Sequence, residues 1–422
     1  MQLWESIIIA LRALTANKLR SVLTMLGIII GVGAVISLIS IGNGFREQFN
    51  SSISSLGTNV MILVPGRFSI GEPDSGNGFN QSQPQPMTLA DAEALSDPLQ
   101  VADVVAVASE FGVGGARVVR GQNEIGVSVS GVTPSYESVR NTPVALGEFI
   151  SQTYLDRRQR VAVLGSEVAA ELFESFEYPV GETIRVNGIP FEVVGVLAEK
   201  GNTGFGSDGT DRGIFIPIST AQTRLGRADS FRGSLTVDTI YIQAASQAQM
   251  DAISEQITTV MRERHGLDLA EEDDFSIITQ AQLLSFGNTI AAGLTAFLGS
   301  IAGVALLVGG IGIMNIMLVS VTERTREIGI RKAVGAKRRD ILLQFLVEAV
   351  VISIIGGLIG IGLGYAVSQL LPQVVPNLES TVVTPGSILL ATGFALAIGL
   401  FFGVYPATRA SRLKPIEALR YE

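Results

Sequence analysis

The sequence has no cysteine and only one histidine, and just 16% of its 422 residues are charged. The usual zinc sites need several cysteine or histidine ligands, so these absences exclude such sites, and they also exclude disulfide bonds. A soluble domain carries roughly 25% charged residues. The chain is therefore too apolar for an ordinary soluble protein.

Motifs that bind phosphate or metal are also missing. No G-x-x-x-x-G-K-[ST] stretch occurs, so these residues carry no P-loop ATPase. Residues 204–209 match G-x-G-x-x-G, but a predicted strand and not a helix follows them, which favours a flexible loop over a dinucleotide site. The acidic run 271–274 lacks the spaced ligands of a calcium loop and is interpreted as a solvated turn. The sequence predicts neither an enzyme nor a bound cofactor, metal or nucleic acid.

Four long stretches contain no Asp, Glu, Lys or Arg, namely 21–45, 275–322, 349–378 and 380–408. Each exceeds the roughly 20 residues that cross a bilayer as a helix. We predict transmembrane helices within 21–45 and 281–320, each including a stalk, and at 341–371 and 387–406. The first apolar run is too long for a cleaved signal peptide, so we interpret it as an uncleaved anchor.

The charges between these stretches are distributed unequally. The block 42–288 has 16 basic and 31 acidic residues, whereas the N-terminal arm, the loop 321–340 and the tail 407–422 together have 14 basic and 6 acidic residues. The positive-inside rule then places both termini in the cytoplasm and the block outside. The predicted fold is an α-helical membrane domain of four transmembrane helices plus a large α+β extracytoplasmic domain inserted between helices 1 and 2. A multi-pass protein of the bacterial inner membrane is favoured.

Short strands alternate with helices in the block, and we place a periplasmic α+β domain of two lobes at 46–280. The pattern predicts strands at 101–108 and 236–243 and a helix that begins with a capping box of Thr88 and Asp91. Residues 66–87 are rich in Gly, Pro, Ser, Asn and Gln, which predicts a mobile loop. Ordering of this loop against a partner is the alternative.

The N-terminal residues 1–20 predict an amphipathic helix in the membrane interface. Its apolar face is formed by Trp4, Ile7, Ile8, Leu11 and Leu14. A targeting segment is the alternative interpretation.

Several residues inside the predicted spans are candidates for helix packing or function. Spacings that allow helices to approach closely occur at Gly299, Gly303, Gly356, Gly360 and Gly364. Glu348 lies about two turns inside the third span. A carboxylate satisfied near the cytoplasmic surface is favoured there over one on an ion pathway.

The loop 321–340 contains seven basic residues together with Glu323 and Glu327. Apolar Ile328, Ile330 and Val334 and a break at Gly335 predict a short amphipathic helix outside the membrane. Such a helix can lie on anionic lipid. Its mixed charges and apolar ridge suit docking into a protein cleft at least as well.

At this loop the sequence resembles the permeases of the MacB-type family, which includes lipoprotein-releasing and FtsX-like permeases. The resemblance is carried by 309–319 (GGIGIMNIMLV), 322–340, 344–350 (QFLVEAV) and 405–419 (YPATRASRLKPIEAL), with further similarity at 161–173 in the block. It covers essentially the whole chain.

The resemblance implies a homodimer of permeases whose loop helices seat in cytoplasmic ABC ATPase subunits. Those subunits use ATP and Mg, and we expect them on another polypeptide because this sequence lacks a P-loop. The positions that match the coupling motif are Glu323, Arg324, Arg326, Glu327, Gly329, Arg331, Lys332, Gly335 and Ala336.

The family further implies a mechanical export system for a drug-like, peptide or lipid-like cargo. Its expected partners are a periplasmic membrane-fusion adaptor, an outer-membrane channel and membrane lipids. An FtsX-like regulator of an extracytoplasmic partner and a lipoprotein-releasing permease are the alternatives. The 247-residue block favours export over regulation, since FtsX-like regulators have smaller outer domains.

Overall fold

The computed structural model describes residues 18–55, 57–67, 85–173, 177–201, 209–226, 228–268, 270–374 and 381–419. Phe49–Gly287 form one compact unit, the inserted domain, and the described residues on either side form a second, the membrane unit. Most of the predicted interfacial helix 1–20 and of the predicted loop 66–87 lies outside the described residues. Both stay predictions.

The elements of the chain alternate between long helices and short strands. In chain order they are α1 (Lys18–Ser55), β1 (Val60–Pro65), β2 (Met87–Thr88), α2 (Leu89–Leu95), β3 (Val104–Arg120), β4 (Asn123–Val132), α3 (Tyr136–Val139), β5 (Val144–Gly147), α4 (Gln152–Asp156), β6 (Val161–Leu164), α5 (Ser166–Leu172), β7 (Thr183–Val186), β8 (Ile189–Leu197), β9 (Gly213–Pro217), α6 (Ile218–Thr220), β10 (Ser230–Phe231), β11 (Ser234–Val237), β12 (Thr239–Ala244), α7 (Met250–His265), β13 (Phe275–Thr279), α8 (Gln280–Glu323), α9 (Thr325–Ala333), α10 (Arg338–Val374), α11 (Pro385–Arg412) and α12 (Pro415–Leu419).

Four helices in the described ranges are long and apolar enough to cross a membrane, namely α1, α8, α10 and α11. They confirm the four predicted spans. Helices α10 and α11 extend beyond the predicted spans, because a helix ends where its backbone hydrogen bonds end and not where its hydropathy falls. Helix α8 has 44 residues and is therefore about 66 Å long at 1.5 Å per residue. Helix α11 begins at Pro385, where the Thr384 side chain accepts a hydrogen bond from the Ser387 N–H.

The inserted domain is built on a sheet of ten described strands. Nine follow the order β13-β1-β12-β3-β4-β9-β6-β8-β5, and β7 pairs with β3 and β8. The pairs β4–β9 and β6–β8 are parallel, and the other neighbours are antiparallel. A second sheet has the order β10-β11-β2. The α+β prediction is confirmed, while the division into two lobes stays a prediction.

Two predicted strands differ from those in the structure. The strand predicted at 101–108 is the start of β3, which continues to Arg120 and forms a long hairpin with β4. Its glycines resemble a loop in sequence, but Gly112 and Gly114 lie at a bulge and Gly121, with φ +57°, lies in the turn. The strand predicted at 236–243 is two strands, β11 and β12, which belong to different sheets.

The inserted domain has its own apolar core. Buried side chains form two clusters, one including Leu63, Phe191 and Ile216 and the other including Val163 and Phe215. The predicted capping box is confirmed, since Thr88 caps α2 and exchanges hydrogen bonds with Asp91. A core of this size lets a domain fold without disulfides.

A buried charged cluster joins the two ends of this domain's sequence. The His265 Nδ1 lies 2.8 Å from an Asp274 carboxylate oxygen, and its Nε2 lies 3.9 Å from Asp91. Arg264 binds the other Asp91 oxygen at 2.6 Å. Burial would lower the pKa of His265, but the hydrogen bonds and charges of the two aspartates outweigh it and raise the pKa to about 9. The imidazole is therefore held as a cation.

The interpretation of 271–274 as a solvated turn holds for Glu271 and Glu272, which are exposed, but is wrong for Asp274, which is buried. Glu272 pairs with Arg67, and Asp273 pairs with Arg262 at 2.5 Å. Asp274 is only 7% exposed beside His265. Across the described ranges, no group of His, Cys, Asp and Glu is arranged to hold a metal ion.

Candidate functional site

The short helix α9 connects the second membrane helix to the third. It begins after Arg324, whose φ of −99° and ψ of 13° interrupt the preceding helix, and it has nine residues. The following turn needs glycine, because Gly335 has a φ of +107°. The next helix then starts with the Asp340 carboxylate accepting the Lys337 N–H. These two breaks isolate α9 at the position predicted for the coupling helix.

The apolar residues of α9 occupy two faces and not the single predicted ridge. Ile328 is 2% exposed, whereas Ile330 is 51% and Val334 is 85% exposed. Residues two apart on a helix are separated by about 200°, so Ile328 and Ile330 cannot share a face. Thr325 and Gly329 are buried with Ile328. The inner face therefore packs within the membrane unit, and the outer face is open.

Charged side chains fix α9 to α10. Glu327 pairs with Arg324 at 3.1 Å and with Arg331 at 2.5 Å. Arg324 also reaches the buried Glu348 at 3.3 Å, and Arg331 donates to Gln344 Oε1 at 2.7 Å. Burial would raise the pKa of Glu327, but the two arginines outweigh it and lower that pKa below its ordinary value. Glu327 is thus ionised at neutral pH and holds both arginines in place.

Lys332 fixes α9 to the end of α11. Its Nζ donates to the backbone carbonyls of Ser411 at 2.5 Å and Leu413 at 2.7 Å. Helix ends leave such carbonyls without partners inside the helix. No local sequence pattern indicates this contact, since 79 residues separate Lys332 from Ser411. Helix α9 is therefore held to α10 and α11 at once.

Arg326 and Ile330 lie on the outer face of α9, and Val334 follows its last residue; we call these three residues the outer strip. The three residues are exposed and spaced at i, i+4 and i+8, so they lie along one side of the helix. Within the part of the chain that the structure describes, Arg326 is in no ion pair. Exposed apolar residues beside an unpaired cation are typical of a surface that binds another protein.

The nine predicted coupling residues fall into two groups in the structure. Those engaged inside the membrane unit are Arg324, Glu327, Gly329, Arg331 and Lys332. Those at its edge are Glu323 at the end of α8, Arg326 on the outer strip, and Gly335 and Ala336 in the following turn. Their contact with an ATPase stays a prediction.

Three of the predicted packing glycines lie where α10 meets α1. A Cβ atom at Gly360 would lie 2.8 Å from the Ile29 carbonyl oxygen, and one at Gly364 would lie 2.8 Å from the Gly33 carbonyl oxygen. At Gly356 it would lie 3.2 Å from the Cβ of Ile28. The two backbones approach so closely that larger side chains do not fit.

The other two predicted glycines lie on an open surface of α8. A Cβ atom at Gly299 or Gly303 would meet no atom of the described residues within 4 Å. The contact between α8 and α1 forms instead at Gly309, whose Cα would lie 2.7 Å from a Cβ at Gly27. Spacing within one helix could not identify this pair, because it joins two helices far apart in sequence.

Comparisons with known proteins match both units of the chain to family models. Residues 21–260 match the family model described as MacB-like periplasmic core domain, and residues 299–415 match the model described as FtsX-like permease C-terminal. The macrolide export ATP-binding/permease protein MacB of Bdellovibrio bacteriovorus is 41% identical over 412 residues, which cover 97% of this chain and 61% of that protein. The chain thus spans less than two thirds of that relative.

The uncharacterized ABC transporter permease YknZ of Bacillus subtilis is 36% identical over 424 residues, which cover 100% of both chains. Among solved structures, the periplasmic region of MacB from Actinobacillus actinomycetemcomitans covers 56% of this chain and 95% of its own, with 20% identity and a TM-score of 0.43. The four apolar helices and the permease relatives together indicate an inner-membrane protein. The sequence matches over the whole length and the family models show that the chain belongs to the MacB-like and FtsX-like family of ABC transporter permeases.

Proposed function

We propose that this chain is the permease subunit of an ABC-type export system. ATP hydrolysis on an associated ABC ATPase, which binds ATP and Mg, moves α9, and the membrane helices pass that movement to the inserted domain. The cargo is drug-like, peptide or lipid-like. The macrolide export named for the MacB relative supports an export role.

The proposal rests mainly on the two faces of α9. Arg324 binds Glu348 and Arg331 binds Gln344 on α10, while Lys332 binds carbonyls at the end of α11, so a force on the helix acts on α10 and α11. Its outer strip is exposed. A helix of this kind can bind a partner on one side and transmit movement on the other.

The remaining features of the proposal concern assembly and orientation. We place both termini and α9 in the cytoplasm, because the basic residues are concentrated in these segments. We further propose a homodimer of permeases, a periplasmic membrane-fusion adaptor and an outer-membrane channel. The acidic inserted domain then faces the adaptor and the cargo.

Variants of the outer strip test binding of the ATPase, and variants of the inner ion pairs test transmission of movement, so the two steps of coupling can be tested separately. We expect Ile330→Asp and Val334→Asp to weaken binding of the ATPase by about 30-fold or more, as loss of a central interface contact does. Arg331→Gln and Glu327→Gln should retain the ATPase but lose transport-coupled hydrolysis, because they loosen α9 from α10. Co-purification measures binding, and hydrolysis in proteoliposomes measures coupling.

Val105→Asp is the matched control, since Val105 is 63% exposed on the inserted domain. It should leave both readouts unchanged. Full binding in the two outer-strip variants would contradict docking through this face. Normal coupled transport in both Arg331→Gln and Glu327→Gln would contradict the transmitting role of the ion pairs.

A further inference from the structure

A cleft opens where α11 ends and α12 begins. Its volume is about 600 Å³, and its lining residues are Tyr405, Thr408, Arg409, Arg412, Leu413 and Glu417. Helix α11 stops at Arg412, and Pro415 starts α12, so the chain turns at this point and the two helices form the walls. The cleft belongs wholly to the membrane unit.

The cleft has an excess of positive charge. Arg409 and Arg412 are exposed and form no ion pair with any residue that the structure describes. The acidic residue of the lining, Glu417, is already paired with Lys414 at 2.8 Å. At i and i+3 the two arginines are neighbours on the helix, with their Cβ atoms about 5–6 Å apart. Two guanidinium groups so placed can bind one phosphate, which arginine recognises through paired N–H donors.

Capping of the helix end does not account for these arginines. Basic residues in a last turn often stabilise the unpaired carbonyls and the negative end of the helix dipole. Here Lys332 already donates to the carbonyls of Ser411 and Leu413. The two guanidinium groups therefore remain available for a ligand.

The surface of α11 next to the cleft is apolar. Phe401 is 75% exposed and Val404 is 48% exposed within the membrane-crossing helix. Tyr405 is 57% exposed and stands between this surface and the arginines. Tyrosine is enriched at the boundary between hydrocarbon and headgroups. The order apolar, aromatic, basic along one helix matches the order acyl chain, glycerol, phosphate in a phospholipid.

We propose that this cleft binds the headgroup of an anionic phospholipid of the phosphatidylglycerol type. The phosphate lies between Arg409 and Arg412, and an acyl chain lies along Phe401 and Val404. The occupied cleft also stabilises the α11–α12 corner, to which Lys332 holds α9. Lipid bound at this site therefore restrains the helix that we assign to ATPase coupling, and this assignment rests on the proposed function.

Native mass spectrometry of the full chain in detergent tests the site directly. A larger fraction of the protein should retain added phosphatidylglycerol than added phosphatidylcholine, because the arginines repel the choline group. Each basic residue near an anionic surface contributes about 1 kcal/mol, which corresponds to about fivefold in affinity. Arg409→Gln with Arg412→Gln should thus reduce retention by more than about tenfold.

The matched control is Arg338→Gln with Arg339→Gln, which removes the same charge from exposed arginines at the start of α10. Size-exclusion profiles verify that both double variants fold. Equal loss of lipid in both would show general electrostatic attraction and overturn the proposal. Equal retention of the two lipids by the unchanged chain, or displacement of phosphatidylglycerol by inorganic phosphate, would also overturn it.

A second measurement tests the link to α9 without any ATPase. Phosphatidylglycerol should slow hydrogen exchange in residues 325–333, and Lys332→Met should abolish that slowing while lipid retention stays normal. Unchanged exchange on lipid binding would contradict the link. Because no ATPase is present, either result stands apart from the outcome for the proposed coupling function.

Discussion

At the scale of single residues, the fold determines the charge of His265. It is 3% exposed between Asp91 and Asp274, which raise its pKa to about 9 against an ordinary value of 6.5. A group whose pKa is raised by folding stabilises the folded state fully below its unfolded pKa. That stabilisation is lost as the pH rises through the folded pKa.

We therefore predict that the inserted domain loses about 3 kcal/mol of its free energy of unfolding between about pH 6.5 and pH 9. His265→Gln should remove this decline and should destabilise the domain at pH 6. Hydrogen exchange of α7 in the full chain, corrected for the intrinsic rate at each pH, measures the effect. Glu255→Gln on the exposed side of the same helix is the control and should keep the decline. A decline of the same size in His265→Gln would contradict this role.

The sequence identified the charged residues near α9 but not all of their partners. Basic residues and glutamates in the loop predicted an amphipathic helix, and Glu348 was expected to be satisfied near the membrane surface. Its partner, Arg324, lies 24 residues away, and Lys332 binds carbonyls that have no side-chain signature. A single histidine without cysteine excludes the usual zinc sites. The pairing of His265 with Asp91, however, joins residues 174 positions apart in the sequence and depends on the folded sheet. Contacts between distant residues carry no local periodicity, so composition could not reveal them.

At the scale of secondary-structure elements, glycines of α10 make a close contact with α1. We predict that Gly360→Ala destabilises the membrane unit by about 1–3 kcal/mol, because the new Cβ overlaps the Ile29 carbonyl and the Val32 side chain. The thermal stability of the purified chain in detergent measures the change.

Gly362→Ala is the matched control for this helix contact. A Cβ at Gly362 meets nothing within 4 Å among the residues described, so the variant should be neutral or slightly stabilising through its higher helix propensity. Equal effects of the two substitutions would show that helix propensity, and not contact with α1, determines the result.

The types of the elements were more predictable than their limits. The charge-free stretches predict the membrane helices, because an uncharged run of that length is rarely anything other than a transmembrane helix. The limits of α10 and α11 were missed, since helical hydrogen bonding continues into polar residues. The hairpin of β3 and β4 was missed because glycine is common in both loops and bulges, and only strand pairing distinguishes them.

At the scale of the whole molecule, the absence of cysteine makes the proposed topology directly testable. We predict that Leu99→Cys, at a position 95% exposed in the inserted domain, reacts with an impermeant maleimide in right-side-out vesicles. Val334→Cys, at a position 85% exposed directly after α9, should react only in inverted vesicles. The unchanged chain is the control and cannot be labelled on a thiol. Labelling of both variants from the same side would contradict an external inserted domain.

The pairing of the first and last strands of the inserted domain bears on how the protein is made. Strand β1 lies between β12 and β13, and Met61 pairs with Thr279. This edge of the sheet cannot close until the chain up to β13 has been synthesised and exported, roughly 10–40 s after β1 emerges at about 5–20 residues per second. Strand β13, which completes the sheet, is followed directly by α8, so the sheet can be completed only when synthesis of the second span begins. Until then the edge of β1 that pairs with β13 is open, and an open strand edge is a template for pairing with another chain.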